Sequence, residues 1–182
     1  MDAIYSDRLK LLPLTHQQLQ LWAKSRIALE KELGLIPNVI QMDDKIRAEL
    51  EDALLNTWLP GTAANPDHYH WVTNWEIILP EKNISVGGIG LAGLPDANGE
   101  TMVGYGIDAK YHNCGYASEA LACLLSWAFG HENLKAVVAT TPPDNYPSHK
   151  VLEKNSFTNL GRLDNEFIYW RRERASEREL HS

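Results

Sequence analysis

The chain has 182 residues, a formal net charge of −7 and a hydrophobic fraction of 44%. This length suits one domain with a sizeable core, and the composition is that of a folded globular protein rather than a disordered one. The acidic balance disfavours nucleic acid as a partner, because binding to a phosphate backbone relies on clustered Lys and Arg.

The chain carries no sign of a targeting segment or a membrane anchor. Residues 1–10 lack the apolar stretch of a signal peptide, and no run approaches the ~18 apolar residues of a membrane span. Cys114 and Cys123 are too far apart along a predicted turn and helix to form a disulfide, since a helix rises about 1.5 Å per residue. We therefore expect a cytoplasmic protein.

The first third of the chain predicts one strand and two helices. Alternating leucines predict a strand over residues 6–14, and Thr15 opens a capping box that begins a helix. That helix should reach about residue 33, and a second one should cover about residues 43–58. Residues 59–69 contain two prolines and a glycine and therefore predict an exposed loop.

The rest of the chain is expected to alternate between strands and single helices. The predicted strands cover residues 71–79, 84–91, about 100–108, 134–141, 157–163 and 166–172, and the predicted helices cover residues 115–129 and 145–155. A turn at residues 164–165 joins the last two strands. With no internal repeat and no linker, we predict a single domain over residues 1–172 and a charged tail over residues 173–182.

Two motif matches are not interpreted as sites. Gly88, Gly90 and Gly93 match G-x-G-x-x-G, but a turn and a strand follow them where a dinucleotide-binding fold needs a helix. These glycines are expected to allow a bulge or close backbone packing. The His and Trp residues within 68–71 lack Cys or carboxylates at ligand spacing, so no metal is predicted. They either pack in the core or wall an acceptor pocket.

Residues 103–129 predict a strand, a short turn and a helix that begins at Gly115. The helix has one apolar stripe, which consists of Ala117, Leu121, Leu124, Leu125 and Ala128. A helix N-terminus exposes unpaired N–H groups and about half a positive charge, so it attracts phosphate. Gly115 would let a ligand approach the backbone closely. The same pattern also fits a plain strand–turn–helix crossover that binds nothing.

Three stretches resemble motifs of the GNAT superfamily of acyl-CoA-dependent N-acyltransferases. Its signature is Q/R-x-x-G-x-G/A, which residues 111–117 resemble as YHNCGYA. Two further stretches are similar to the RimJ/RimL-like (ribosomal-protein-alanine acetyltransferase-like) branch: residues 104–108 resemble its GYWLD strand, and residues 145–157 its N-x-x-S-x-x-V-L-E-K-x-G-F. The resemblance implies an α/β (α+β) fold. About four helices should flank a mixed, mostly antiparallel sheet of about seven strands that splay apart in the middle.

Four positions depart from these motifs. His112 stands where the family usually has Arg or Gln, Asn113 where a Gly is common, and Met102 where the branch often has Glu. Ser156 replaces a Gly, and the neighbouring Asn155 is expected to take the left-handed conformation instead.

The resemblance implies a binding site for acetyl-CoA along this strand and turn. The pyrophosphate would bind at the turn, whose residues are His112, Asn113, Cys114, Gly115, Tyr116, Ala117 and Ser118. Main-chain groups of Tyr105, Gly106 and Ile107 would face the pantetheine and the acyl carbonyl. Asn145 would bond to the pantetheine arm, or cap the helix that follows it, or both.

Two catalytic groups are predicted for the acyl transfer. Ser148 would lie near the sulfur as the general acid, by resemblance. Glu100 is the candidate general base, because it lies two residues before Met102 on the same strand face. Glu76 and His70 remain alternatives for the base.

The implied activity is the transfer of an acetyl group from acetyl-CoA to a primary amine by direct attack on the thioester. Loss of the family's Glu favours an acceptor of low pKa, such as a peptide or protein N-terminal α-amine, with a small-molecule amine as the alternative. A non-catalytic acyl-CoA sensor or scaffold and an unrelated α/β binding module also remain open. The protein is expected to be a monomer or homodimer, with no nucleic-acid or membrane partner.

Overall fold

The structure, a computed structural model, describes residues 3–163 and 166–175 and contains one open sheet. Its strands are β1 (Ile4–Tyr5), β2 (Lys10–Pro13), β3 (Asn74–Leu79), β4 (Ile84–Leu91), β5 (Glu100–Ile107), β6 (Ala136–Thr141), β7 (Thr158–Leu163) and β8 (Phe167–Glu173). Their order is β1-β2-β3-β4-β5-β6-β8-β7, in which β5 and β6 run parallel and the other neighbours antiparallel. The predicted mixed, mostly antiparallel sheet is confirmed. It has eight strands where about seven were expected, because the short β1 precedes the strand predicted over residues 6–14, which the structure reduces to β2.

Six α-helices in the described part of the chain flank this sheet, where about four were expected. They are α1 (His16–Lys24), α2 (Arg26–Glu32), α3 (Asp44–Ala53), α4 (Leu59–Ala64), α5 (Tyr116–Phe129) and α6 (Tyr146–Lys154). A π-helical segment (Leu54–Trp58) joins α3 to α4, and a 3₁₀ helix (Pro66–Trp71) follows α4. Thr15 and Gln18 form the predicted capping box. The predicted first helix is divided at Ser25, whose backbone is extended and whose hydroxyl caps α2.

The loop predicted over residues 59–69 is wrong, because the chain there continues as helix. Pro60 lies in the first turn of α4, a position where proline is tolerated because its N–H is not needed. Leu59, the first residue of α4, is half-buried against a small second core that includes Leu19, Leu29 and Leu54. Full burial of one leucine contributes about 1.5–3 kcal/mol, and even part of that free energy opposes the local turn preferences.

The main core lies between the sheet and α5. The predicted apolar stripe is confirmed, with Ala117 half-buried and the residues Ala120, Leu121, Leu124, Leu125 and Ala128 buried. These side chains pack in one cluster with Trp75, Ile77 and Ile89 of the sheet. This packing fixes the position of α5 and therefore of the turn that precedes it.

The glycines of the G-x-G-x-x-G match lie in or beside β4 and begin no helix. A Cβ at Gly88 would collide with the Asn74 side chain, and a Cβ at Gly90 would come within 2.7 Å of the Thr73 carbonyl. The predicted close packing is therefore confirmed for Gly88 and Gly90, whereas a Cβ at Gly93 would meet no atom within 4 Å.

The strands β5 and β6 separate partway along their length. Their parallel pairing covers residues 100–102 of β5 and 136–138 of β6 and then ends. Beyond that point β5 pairs with β4, and β6 pairs with β8. The predicted splay is confirmed. Because α5 follows β5 and α6 follows β6, the starts of both helices flank the resulting gap.

The left-handed residue after α6 is Ser156, with φ of 59°, and the prediction that Asn155 takes this conformation is wrong. Asn155 has φ of −97° and uses its side chain instead. Its Nδ2 donates to the Ser118 carbonyl and hydroxyl and to the Val151 carbonyl, at 3.2, 3.1 and 2.9 Å. These bonds connect the end of α6 to the start of α5.

Ordered pairing continues into the segment predicted as a tail. β8 includes Glu173, and the Arg174 N–H donates to the Lys135 carbonyl at 2.8 Å. The predicted hairpin turn at residues 164–165 and tail residues 176–182 lie outside the described residues. None of the described helices has the length and apolar character to cross a membrane. The domain extent, the cytoplasmic localisation and the monomeric or homodimeric state stay predictions.

Candidate functional site

The turn after β5 leads into a helix start that no side chain caps. Gly115 is the N-cap of α5 and has a left-handed backbone with φ of 82°, which a residue without Cβ adopts at little cost. Residues 112–115 are exposed, and residues 116–118 are half-buried. The Glu119 N–H donates to the Gly115 carbonyl at 3.1 Å as the first bond of α5. The amides before Glu119 therefore have no acceptor within the helix.

Two side chains of this turn bind to neighbouring elements. His112 Nε2 lies 2.9 Å from the Ile107 carbonyl, and because a carbonyl only accepts, this nitrogen carries the proton. Ser118 Oγ accepts from Asn155 Nδ2. The Cys114 thiol lies 3.6 Å from the His112 carbonyl and is not in a disulfide. What the turn offers to an anion is therefore chiefly its main-chain amides.

Arg8, which sequence reasoning missed, lies beside the turn and binds Glu119. Its Nε and Nη2 contact Glu119 Oε2 at 2.7 and 2.6 Å, and its main-chain N–H donates to Oε1 at 2.9 Å. Its Nη1 donates to the Cys114 carbonyl at 3.1 Å. Burial pushes the pKa of Glu119 upward, but hydrogen bonds from Ser6 and Arg8 hold the pKa below its usual range. Because Arg8 and Glu119 are 111 positions apart, no local pattern could have paired them.

The main-chain groups of β5 alternate between β4 and the gap. Met102 and Asp108, near the two ends of β5, both hydrogen-bond to the chain of β4 or its flank at 2.8 Å. In an antiparallel ladder the main-chain groups of alternate residues point to the same side of the strand, so Gly104 and Gly106 also direct their N–H and C=O groups toward β4. Tyr105 and Ile107 accordingly direct their N–H and C=O groups toward the gap, whereas Gly106 directs its own toward β4.

The Tyr105 side chain reaches the start of α6 and meets Ser148. Its hydroxyl lies 2.8 Å from Ser148 Oγ. Burial raises the pKa of Tyr105 to about 12, so the hydroxyl is protonated at neutral pH. The Ser148 N–H donates to Asn145 Oδ1 at 3.3 Å, which makes Asn145 the N-cap of α6. Sequence reasoning selected Ser148 and Asn145 but assigned Tyr105 only a main-chain role.

Glu100, the candidate base, is bound at the other end of β5. Its Oε1 accepts from Arg171 Nε at 3.1 Å and from Arg171 Nη2 at 2.9 Å. Glu100 and Tyr105 are five positions apart, which is about 17 Å at about 3.4 Å per residue of strand. The structure therefore does not bring Glu100 together with Tyr105 and Ser148.

The alternative base Glu76 is buried in a hydrogen-bonded network. It is 1% exposed and accepts two bonds from Arg26, at 2.8 and 2.5 Å. Asn74 Nδ2 and Ser85 Oγ donate to the same carboxylate at 2.9 and 2.6 Å. With both oxygens engaged, the buried Glu76 is paired with the half-buried Arg26.

The alternative base His70 packs in an aromatic cluster with α5. Its ring centre lies 5.2 Å from that of Trp127, which also contacts Trp71 at 4.9 Å. Burial lowers the pKa of His70 to about 4, so the ring is neutral at neutral pH. This packing favours the structural interpretation of residues 68–71. Among the described residues, no group of three or more His, Cys, Asp or Glu is placed to hold a metal ion.

Residues 8–158 match the family model of the acetyltransferase (GNAT) domain. The chain belongs to the GNAT acetyltransferase family. The uncharacterized N-acetyltransferase YjdG of Bacillus subtilis (strain 168) is 33% identical over 97 residues, which are 53% of this chain and 57% of YjdG. The uncharacterized N-acetyltransferase p20 of Bacillus licheniformis is 26% identical over 167 residues, which are 90% of this chain and 86% of p20. The matched segment thus spans little more than half the length of YjdG but most of p20.

Solved GNAT structures share the fold of this chain. RimL, the ribosomal L7/L12 alpha-N-protein acetyltransferase, in complex with coenzyme A, aligns with a TM-score of 0.63 and 15% identity. The alignment covers 94% of this chain and 98% of that one. At this identity the likeness shows the fold alone, and the GNAT fold binds acetyl-CoA. The predicted GNAT resemblance and its splayed sheet are both confirmed.

Proposed function

We propose that this GNAT protein transfers the acetyl group of acetyl-CoA to the nitrogen of a primary amine. The observation that carries the proposal is the uncapped, exposed start of α5 beside the gap between β5 and β6. A diphosphate at this position would accept hydrogen bonds from the amides of residues 115–118. It would also lie at the positive end of the helix dipole.

The remaining cofactor contacts are assigned along the gap. His112, Asn113 and Cys114 would flank the diphosphate on the exposed side of the turn. The main-chain groups of Tyr105 and the Ile107 N–H would bind the pantetheine and the acyl carbonyl, since both residues direct these groups into the gap. The Ile107 carbonyl already accepts from His112. Gly106 directs its main-chain groups toward β4, so we assign it to the wall of the cofactor site. Asn145 Oδ1 caps α6, and its exposed amide nitrogen would donate to the pantetheine arm.

Ser148 is the group that we assign to protonate the departing sulfur. As the acceptor nitrogen bonds to the carbonyl carbon, the carbon–sulfur bond breaks and the sulfur needs a proton. Ser148 Oγ–H would supply it, the protonated hydroxyl of Tyr105, 2.8 Å away, would return a proton to Ser148, and Tyr105 would regain its proton from solvent. The Tyr105 N–H would donate to the developing oxyanion. The proton lost by the amine passes to solvent.

The acceptor that this arrangement fits best is a peptide or protein N-terminal α-amine. Glu100 stays a predicted base, but its carboxylate is bound by Arg171. Weak help from a base favours an acceptor amine that is already partly neutral. An α-amine with a pKa near 8 is roughly a tenth neutral at neutral pH, whereas a lysine amine is neutral at well under about a thousandth. The activity stated in the name of RimL, on a protein α-amine, supports the same class.

The open face of β5 offers a surface for this acceptor. Met102, Gly104 and Gly106 are exposed there, on the face opposite Tyr105. A Cβ at either glycine would meet no atom within 4 Å, so packing does not require a glycine at these positions. Since glycine inside a strand costs about 0.5–1 kcal/mol relative to alanine, two of them here support close approach by a substrate.

The test is release of free thiol from acetyl-CoA with a panel of acceptors. The panel contains peptides with a free N-terminus, N-terminally blocked peptides with one lysine, polyamines and aminoglycosides. We expect the highest kcat/KM with free α-amines at neutral pH, and faster acetylation of lysine or polyamines would overturn this acceptor class. Binding of coenzyme A without turnover of any amine would favour the non-catalytic sensor or scaffold.

Binding itself is tested by thermal unfolding with and without acetyl-CoA. A ligand at a hundredfold excess over its Kd should stabilise the fold by about 2.7 kcal/mol. Absence of any shift would overturn the cofactor site at α5.

A further inference from the structure

We propose that Arg8 is a positioning residue that orients the peptide between Cys114 and Gly115, so that the amides of the turn face the diphosphate. This inference rests on the proposed function and adds a residue to it. Arg8 lies in the connection between β1 and β2, and its side chain is 47% exposed. It contacts the turn from the side of the Cys114 carbonyl.

The geometry of the peptide unit carries the inference. A trans peptide is planar, and its C=O and N–H groups point in opposite directions. Because Arg8 Nη1 holds the Cys114 carbonyl at 3.1 Å, the Gly115 N–H must point away from Arg8. Because Gly115 has no Cβ, the Cys114–Gly115 peptide plane is free to rotate. Such a rotation would turn the Cys114 carbonyl toward the anion, where it would repel a phosphate. The bond from Arg8 opposes that rotation.

Glu119 keeps the Arg8 side chain in one arrangement. Both carboxylate oxygens of Glu119 accept from Arg8, one from the main chain and one from the guanidinium, and Ser6 Oγ adds a bond of 2.7 Å. The guanidinium also lies 4.7 Å from the ring centre of Tyr116. These contacts also neutralise a carboxylate in the first turn of α5, which would otherwise compete with the diphosphate for the positive end of the helix.

Positioning and simple charge neutralisation predict different results for a double variant. We expect Arg8→Ala to weaken coenzyme A binding about tenfold, measured as Kd by calorimetry, and to leave kcat at saturating acetyl-CoA within about twofold. If Arg8 acted only by neutralising Glu119, then Arg8→Ala/Glu119→Ala would recover wild-type affinity, which would overturn the proposal. We expect the double variant to remain about tenfold weaker.

Arg8→Lys is the conservative variant. In Arg8 the guanidinium contacts Glu119 Oε2 and the Cys114 carbonyl together, whereas a single ammonium lacks the planar fork that holds both acceptors in this geometry. We expect at least about a fivefold loss of affinity for coenzyme A. Full affinity in this variant would show that charge alone is sufficient, and would contradict the positioning role.

Arg174→Ala is the matched control for lost stability. Arg174 also binds main-chain carbonyls, but those that follow the other end of α5, with Nε 2.9 Å from the Leu134 carbonyl and Nη2 against the His131 carbonyl. It should lower the melting temperature and leave the Kd for coenzyme A unchanged. Equal weakening in Arg174→Ala and Arg8→Ala would overturn the inference. If wild type binds and Arg8→Ala binds equally well, only this inference fails, whereas a wild type that does not bind overturns the proposed function and this inference together.

Discussion

The helices α5 and α6 both begin beside the gap between β5 and β6, yet they begin in opposite ways. At α6, Asn145 Oδ1 accepts the Ser148 N–H and caps the helix with a side chain. At α5, Gly115 has no side chain, and the first amides remain available to a group outside the chain. A capped start can thus fix a side-chain hydroxyl such as that of Ser148 in place, whereas an uncapped start presents main-chain donors to an anion.

The largest expected effect comes from placing an anion on the uncapped start. In Gly115→Glu the new carboxylate would compete for the free amides and repel the diphosphate, so we expect at least a hundredfold loss of acetyl-CoA affinity, on the order of 3 kcal/mol. Calorimetric titration with coenzyme A measures the change. Gly34→Glu is the control, because Gly34 is also left-handed, with φ of 72°, and lies outside the proposed site. Affinity that falls equally in both variants would attribute the loss to backbone strain.

The next effect concerns the hydroxyl fixed at the capped start. Ser148→Ala removes the proposed proton donor while leaving the Asn145 cap, which binds the main-chain N–H of residue 148. We expect kcat to fall about a hundredfold, within the usual range for general acids, and the Kd for coenzyme A to stay unchanged. Steady-state kinetics with a free α-amine peptide measure this, and a kcat within about twofold of wild type would remove Ser148 from the mechanism.

A smaller loss of kcat is expected from removing the Tyr105 hydroxyl, which contacts Ser148 Oγ. Tyr105→Phe deletes one oxygen and leaves the ring in the core, so kcat should fall about tenfold with little change in stability. In the Ser148→Ala background the same substitution should add no further loss, because the two hydroxyls act in one chain. A double variant whose losses multiply would show instead that the two residues act independently.

The smallest effect is expected where a left-handed residue serves the fold and not the ligand. Ser156 has φ of 59° after α6, a conformation that costs an L-residue about 1–2 kcal/mol and glycine much less. Ser156→Gly should raise stability by about 1 kcal/mol, or about 3 °C in Tm for a chain of this size, with unchanged kcat and KM. Thermal unfolding checks the shift, and a lower Tm would mean that the serine side chain makes a contribution larger than the strain.

Local sequence was sufficient to predict the order of the strands and most of the helices, together with both helix starts at the gap. The capping box at Thr15, the N-cap at Asn145 and the beginning of α5 at Gly115 all follow from preferences that act over a few residues. The same rules failed at residues 59–69. There, burial of neighbouring leucines maintained helix through a proline and a glycine.

Contacts between distant elements could be read only from the folded chain. Arg8 meets Glu119 across 111 positions, Tyr105 meets Ser148 across 43, and Glu100 meets Arg171 across 71. Each pair depends on the order of the strands, on the splay of β5 from β6 and on the packing of α5. These are properties of the whole sheet, and no period or cap within one element encodes them. For this reason the sequence was sufficient to select the turn proposed to bind the cofactor, whereas its contact with Arg8 and the contact between Tyr105 and Ser148 depend on the tertiary structure.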